Sequence, residues 1–360
     1  MAKSKFSKAV VCGIVATIPR IEKCIDNEVA LYGGDIKQVK RLKKLIGLNK
    51  RYVVDEKTTT ADLCENSANI LFKGLKIDKS EIDALIFVSQ TPDYFIPATS
   101  CYLHGKLDLS RDCATFDVNL GCSGYVYGLW LAHMLIESGG INNVVLLAGD
   151  TISKCVNKND RSTAPLFGDA GSATLVQRKE PDNPSFFTLH TDGKNYDTII
   201  MPAGAFRMPK NEGTSKEIID KEGNSRSLED LYLNGVNIFN FAMTSEPLAI
   251  EEILAFSNKN QEQIDYLVFH QANKYIITNI IDMIKFPVEK VPCNTVEKYG
   301  NQSSASIPVT ICDSMQNEVQ NESKTVVLAG FGVGLSWATC LITLNKIYCK
   351  LERYEGVLIK

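Results

Sequence analysis

"IDALIFVSQ", residues 82–90, and "IDYLVFHQA", residues 264–272, say nearly the same thing 182 positions apart. Both carry Ile-Asp-x-Leu-x-Phe, a short continuous apolar run of the kind that fills the middle of a sheet covered on both faces. At the same offset, "VVL" at 144–146 meets "VVL" at 326–328, Asn119 meets Asn301, and Cys122 meets Ser304. Buried strands resemble one another, so "VVL" alone carries little. Matches at several places and one offset point to an internal duplication.

Each half then follows one grammar. A helical stretch (61–76; 246–257) leads to a buried strand (84–89; 266–270). A loop and a helix follow, then a strand or turn bearing the Asn (114–119; near 301). A second helix (123–138; 305–317) and a further buried strand (143–148; 325–329) complete the unit. Strands alternating with helices predict α/β halves with parallel-type sheets. The segment "SGYVYGLWLAHMLIES" (123–138) is apolar nearly all round, which places that helix between layers. The expectation is a five-layer αβαβα arrangement of two pseudo-repeated halves, 1–180 and 181–360. Residues 190–235 are polar and glycine-rich and read as a loop or cap insertion.

The totals narrow the function. The 360 residues are 44% hydrophobic and 22% charged, as in a globular soluble chain, and the net charge of −3 argues against nucleic-acid binding. The eleven cysteines include no C-x-x-C and the four histidines do not pair at ligand spacing, so no metal is expected. Scattered thiols in a long chain suit a reducing cytoplasm. "AVVCGIVATIP" (9–19) follows three lysines, as in a signal peptide, but it is short and ends in proline. It reads as a buried first strand. No stretch approaches the ~18 apolar residues of a membrane span.

Three residues carry the chemistry. Cys122 stands in "NLGCSG" (119–124) between a strand and a helix. A helix start favours thiolate, and the glycines leave room for an approaching acyl carrier. This predicts that Cys122 alkylates at neutral pH far faster than the other ten cysteines. The plain alternative is an inert buried thiol. His270 ends a strand, where ligands bind in parallel sheets; the alternative is a core histidine. Asn301 opens a helix, where Asn also serves as a cap. The duplication brings Cys122 of one half against His270 and Asn301 of the other. A thiolate that takes an acyl group, with neutral donors that steady an enolate, suits decarboxylating carbon–carbon bond formation.

These motifs, with "RSTAPLFGDAGSATLV" (161–176), "HTDG" (190–193), "FHQANKY" (269–275), "YGNQSSASIP" (299–308) and "GFGVGLSWA" (330–338), resemble β-ketoacyl-acyl-carrier-protein synthase III of the thiolase superfamily over nearly the whole chain. The resemblance implies a catalytic Cys122–His270–Asn301 triad and an oxyanion hole from the N–H groups of Cys122 and Val333. It implies substrate contacts at Arg161, Phe239, Asn273 and Ile96, the last reaching a partner subunit's acyl tunnel in a homodimer. It implies an acyltransferase of fatty-acid biosynthesis in the cytoplasm. That enzyme needs no cofactor of its own, because its substrates carry phosphopantetheine as coenzyme A or acyl-carrier protein. Asp169 of "FGDAGSA" reads as structural, and "GFGVG" does not fit a dinucleotide loop.

Two departures concern substrate delivery. The family's N-terminal "RTGI" element reads "KLIGL" (44–48), with Leu45 in place of arginine, and the only tryptophans are Trp130 and Trp337. The adenine clamp of coenzyme A is therefore incomplete. In its place "KQVKRLKKLIGLNKR" (37–51) carries seven basic residues and no acidic one. It reads either as a docking face for an acidic carrier protein or as a solvated helix with Val39, Leu42 and Leu45 or Ile46 packed inward. Other readings on the same scaffold stay open: a specialised synthase of a secondary or surface-glycan pathway, transfer to another nucleophile, condensation without decarboxylation, or a non-catalytic heterodimer subunit. A 3-hydroxy-3-methylglutaryl-coenzyme A synthase would need a glutamate near 89–95, and "SQTPDYF" has none.

Overall fold

The computed structural model describes residues 2–181 and 183–356. Ala84–Val88 lies parallel to both Ala114–Val118 and Asn143–Asp150, and all five of its residues are buried. Its repeat, Tyr266–Phe269, lies parallel to Ser323–Gly332. The predicted continuous apolar strands thus form the parallel centres of two sheets. Neither sheet is wholly parallel. Asn143–Asp150 pairs antiparallel with Ala170–Arg178, and Ser323–Gly332 with Ser336–Asn345. Residues 333–335 join the second pair as a tight return, whereas the long segment 151–169 joins the first.

The first sheet has six strands, in the order Tyr348–Arg353, Ala9–Ile18, Ala170–Arg178, Asn143–Asp150, Ala84–Val88 and Ala114–Val118. The second has five: Ala2–Phe6, Ser185–Thr191, Ser336–Asn345, Ser323–Gly332 and Tyr266–Phe269. The two end strands are exchanged. Ala2–Phe6 joins the second sheet, and Tyr348–Arg353 the first. The apolar segment after the N-terminal lysines is buried as expected, but as the second strand, because Ala2–Phe6 precedes it.

The helices Gly124–Glu137 and Ser306–Ser314 contact both sheets and fill the layer between them. Thr60–Leu75 covers the outer face of the first sheet, started by a capping box of Thr59 and Asp62. Gly235–Ser257 and Lys274–Ile284 cover the second. The result is the expected αβαβα order.

Three boundaries move. The helix expected from 246 begins at Gly235, and Pro247 sits inside it. The helix expected over 305–317 is broken at Met315 and resumes at Gln316–Asn321. The cap expected from 190 begins after Thr191, because His190 still belongs to the second sheet. Within the cap, Ile199–Ile200 pairs with Tyr232–Leu233, and Ile218–Ile219 with Ser225–Arg226. Arg226 fastens it to the body through the buried Asp160, at 2.7 Å. Among the described residues no helix is long and apolar enough to cross a membrane.

Candidate active site

The carboxyl ends of the central strands of both sheets open onto one cavity of about 420 Å³. Cys122, His270, Asn301, Asn273 and Val333 all line it. Sequence placed the first three in opposite halves, and the fold brings them to one space. Arg161, Phe239 and Ile96 do not line this cavity. Arg161 donates to the carbonyl of Glu222 in the cap, and Phe239 stacks on Tyr275 with ring centres 5.4 Å apart. Ile96 is 84% exposed on a loop beside Tyr94 and Phe95.

Cys122 lies two residues before the first residue of Gly124–Glu137. The Phe331–Val333 backbone crosses directly over it: a Cβ on Gly332 would sit 2.7 Å from the Cys122 Cβ and 2.8 Å from its Sγ. Only glycine permits that approach. Burial pushes the Cys122 thiol up to about 11, although the Val333 N–H and Ser303 bond to it and pull the other way. The buried Asp150 raises it further. The expectation of a thiolate poised by the helix start is therefore corrected: desolvation outweighs the N–H groups and the dipole.

His270 is fixed from two sides. Its backbone N–H donates to Ala329 O at 2.7 Å, continuing the strand pairing. Its Nδ1 meets Ser306 Oγ at 2.6 Å, and that oxygen also accepts from the Gln271 N–H at 3.3 Å. Burial pushes the imidazole down to about 3, so it is neutral at pH 7. Asn301 is held by its own backbone, which donates to Leu166 O at 2.9 Å and accepts from Gly168 N–H at 3.0 Å. Its Oδ1 accepts from Ser303 N–H at 2.9 Å, a local cap of the kind the sequence suggested. Its Nδ2 donates to Ala272 O at 3.5 Å, which leaves one amide hydrogen for the cavity. Asn273 caps Lys274–Ile284 through Ile276 N–H at 2.8 Å.

Sequence reasoning passed over Asp150 and Ser306. Asp150 is fully buried and accepts from Gln90 N–H (2.7 Å), Ser304 N–H (3.1 Å) and Ser304 Oγ (2.7 Å), tying the two halves together beneath Cys122. Its signal was available: it ends the apolar strand Asn143–Asp150, at a position 182 before Gly332. Ser306 lies in a serine-rich run with nothing to single it out. Asp169 faces away from the cavity and accepts from Val54 N–H (2.9 Å) and Ser153 N–H (3.0 Å), which pins two loops.

A cysteine, a neutral imidazole and a carboxamide converge on one cavity between the two duplicated halves of a five-layer fold, and this is the scaffold of the thiolase-like condensing enzymes. Residues 116–193 match the family 3-oxoacyl-[acyl-carrier-protein (ACP)] synthase III, and residues 254–344 match its C-terminal part. A Campylobacter jejuni protein named as a 3-oxoacyl-[acyl-carrier-protein] synthase 3 is 42% identical over 97% of each chain. The β-ketoacyl-[acyl-carrier-protein] synthase III of Clostridium perfringens is 33% identical, over 83% of this chain and 88% of its own. The crystal structure of a 3-oxoacyl-(acyl-carrier protein) synthase from Burkholderia xenovorans superposes with a TM-score of 0.92 at 35% identity, covering 98% of this chain and 99% of that one. The chain belongs to the β-ketoacyl-acyl-carrier-protein synthase III family of acyl-transferring condensing enzymes.

Proposed function

We propose that the protein joins an acyl thioester to malonyl-acyl-carrier protein with loss of CO₂. Cys122 Sγ attacks the acyl carbonyl, and its proton leaves with the displaced carrier thiol. The malonyl thioester then loses CO₂. Its enolate oxygen is held by His270 and Asn301, the carbanion attacks the acyl-cysteine, and Cys122 Sγ is expelled as a thiolate that takes a proton from solvent. The product is a β-ketoacyl-carrier protein. No resident cofactor enters this scheme, since both substrates bring phosphopantetheine.

The observation that carries the reading is the convergence of Cys122, His270 and Asn301 on one cavity. A neutral His270 suits it. A neutral imidazole still carries one N–H for a developing enolate oxygen, and the ring is held in place through Ser306 Oγ and the Ser303 backbone. The N–H groups of Cys122 and Val333 stand as the oxyanion donors for the acyl-transfer step. Tyr94, Phe95 and Phe206 are exposed, with the Phe95 and Phe206 rings 6.3 Å apart, and such a patch supports a second copy of the chain as neighbour.

Intact mass tests the reading. Wild type and Cys122→Ala are incubated with acyl-coenzyme A and acyl-carrier-protein donors. One acyl adduct that disappears in Cys122→Ala is expected, followed by its discharge and CO₂ release on adding malonyl-acyl-carrier protein. An adduct that persists in Cys122→Ala overturns the assignment. Discharge without CO₂ release would favour condensation without decarboxylation.

A further inference from the structure

The helix Ile36–Ile46 is strongly charged, and much of its charge is not spent inside the fold. Val39 is buried, Leu42 and Ile46 pack with it, and Leu45 is 43% exposed, so the inward face is 39, 42 and 46. Of the seven basic residues between 37 and 51, three are engaged. Lys43 meets Asp26 at 2.6 Å, Lys50 meets Glu22 at 3.0 Å, and the buried Arg51 pairs with Glu28. Lys37, Lys40, Arg41 and Lys44 are exposed, and no acidic group of the described residues stands within ion-pair distance of them. Their spacing is i, i+3, i+4, i+7, which lays all four along one face of the helix. The Asp35 carboxylate at its start is occupied by the Lys37 and Gln38 N–H groups.

Like charges at these spacings repel one another and destabilise the helix. A protein of net charge −3 that keeps four uncompensated cations on one stripe has a face complementary to an anionic partner. The stripe also lies beside the cavity. Gly47, which ends the helix, packs so closely on the start of Lys274–Ile284 that a Cβ there would sit 3.0 Å from the Lys274 Cβ. The neighbouring Asn273 lines the cavity. Leu166, another lining residue, packs into the apolar cluster beneath the same helix.

We propose that Lys37, Lys40, Arg41 and Lys44 form the docking stripe for the acidic surface of the acyl-carrier protein, so that its prosthetic arm enters past Asn273. This rests on the function proposed above and adds where the partner sits. The stripe supplies encounter rate and orientation and touches no reacting atom.

The test compares the full-length wild type with a variant carrying Lys37→Gln, Lys40→Gln, Arg41→Gln and Lys44→Gln. Acylation of Cys122 is followed by intact mass with two donors bearing one acetyl group: acetyl-acyl-carrier protein and acetyl-pantetheine. The carrier-protein kcat/KM is expected to fall about tenfold or more at low salt, and its steep decline with ionic strength to flatten. The pantetheine rate is expected to be unchanged, and a variant with arginine at 37, 40 and 44 to retain wild-type behaviour. Equal rates for the carrier-protein donor, or an equal fall for both donors, overturn the proposal. If neither donor acylates wild type, the proposed reaction fails. Anisotropy of labelled holo-acyl-carrier protein then decides docking alone: binding lost in the variant upholds the stripe, and equal binding overturns it. Unchanged carrier binding with lost binding to anionic phospholipid vesicles would assign the stripe to a membrane and also overturn it.

Discussion

The thiol of Cys122 makes a quantitative prediction through pH. Burial holds it at about 11, against an ordinary thiol near 8.5. At pH 7 an ordinary thiol is roughly 3% thiolate, and one at 11 roughly 0.01%. The higher pKa makes the rarer thiolate a better nucleophile, and this returns about one decade. The net expectation is alkylation roughly 20- to 30-fold slower than an ordinary thiol at pH 7. The sign is fixed: the group gains reactivity as pH rises, about tenfold per unit, with no plateau before pH 10. Iodoacetamide labelling with peptide mapping at half-unit steps from pH 7 to 10 measures this, with the exposed Cys101 as internal reference. Labelling of Cys122 ahead of Cys101 at pH 7, or a plateau near pH 8, would refute the argument that desolvation governs this sulfur in the resting enzyme.

Three further outcomes are expected. Gly332→Ala pushes a methyl against the Cys122 sulfur, costing about 1–3 kcal/mol of stability and at least a hundredfold in acylation, read by thermal melts and intact mass. Ser306→Ala removes the side-chain partner of His270 Nδ1 and loosens the ring's orientation; condensation should slow about tenfold while Cys122 acylation is retained, and equal losses in both steps would contradict the positioning role. Asp169 is held at about 6 by burial, above the unfolded carboxyl near 3.9. Its folded pKa is raised, so the stability it adds is full below pH 4 and is lost as pH rises through 6. Wild type should lose about 2 kcal/mol more stability between pH 4 and pH 7 than Asp169→Asn in denaturant titrations, and parallel profiles would discount it.

What the sequence made legible was what repeats. The shared Ile-Asp-x-Leu-x-Phe located equivalent strands, and that equivalence carried Cys122, His270 and Asn301 to one cavity. The apolar helix after Cys122 declared its central layer by lacking a polar face. Electrostatics were less legible. A helix start is visible in sequence, but the desolvation of Cys122 depends on a backbone more than two hundred residues away crossing over it. Asp150 lies just past the strand expected over 143–148, and its role is not readable there because its partners Gln90 and Ser304 come together only on folding. The basic helix shows the same limit: seven cations were countable, yet which three were already paired depended on Asp26, Glu22 and Glu28. The inward choice of Ile46 over Leu45 was likewise a matter of helix rotation, which spacing alone leaves one residue uncertain.

The exchange of the two end strands has a consequence for how the protein is made. Ala2–Phe6 is made well before its partner Ser185–Thr191, which emerges only after the first half has been synthesised. Ala9–Ile18 waits longer still, since Tyr348–Arg353 follows every other described strand. During elongation each sheet therefore presents an unpaired edge, and open edges invite pairing with other chains. Fragments severed near residue 180 would inherit those edges permanently. The duplicated halves, for all their resemblance, complete their sheets only together, as one folding unit laced by the exchange of Ala2–Phe6 and Tyr348–Arg353.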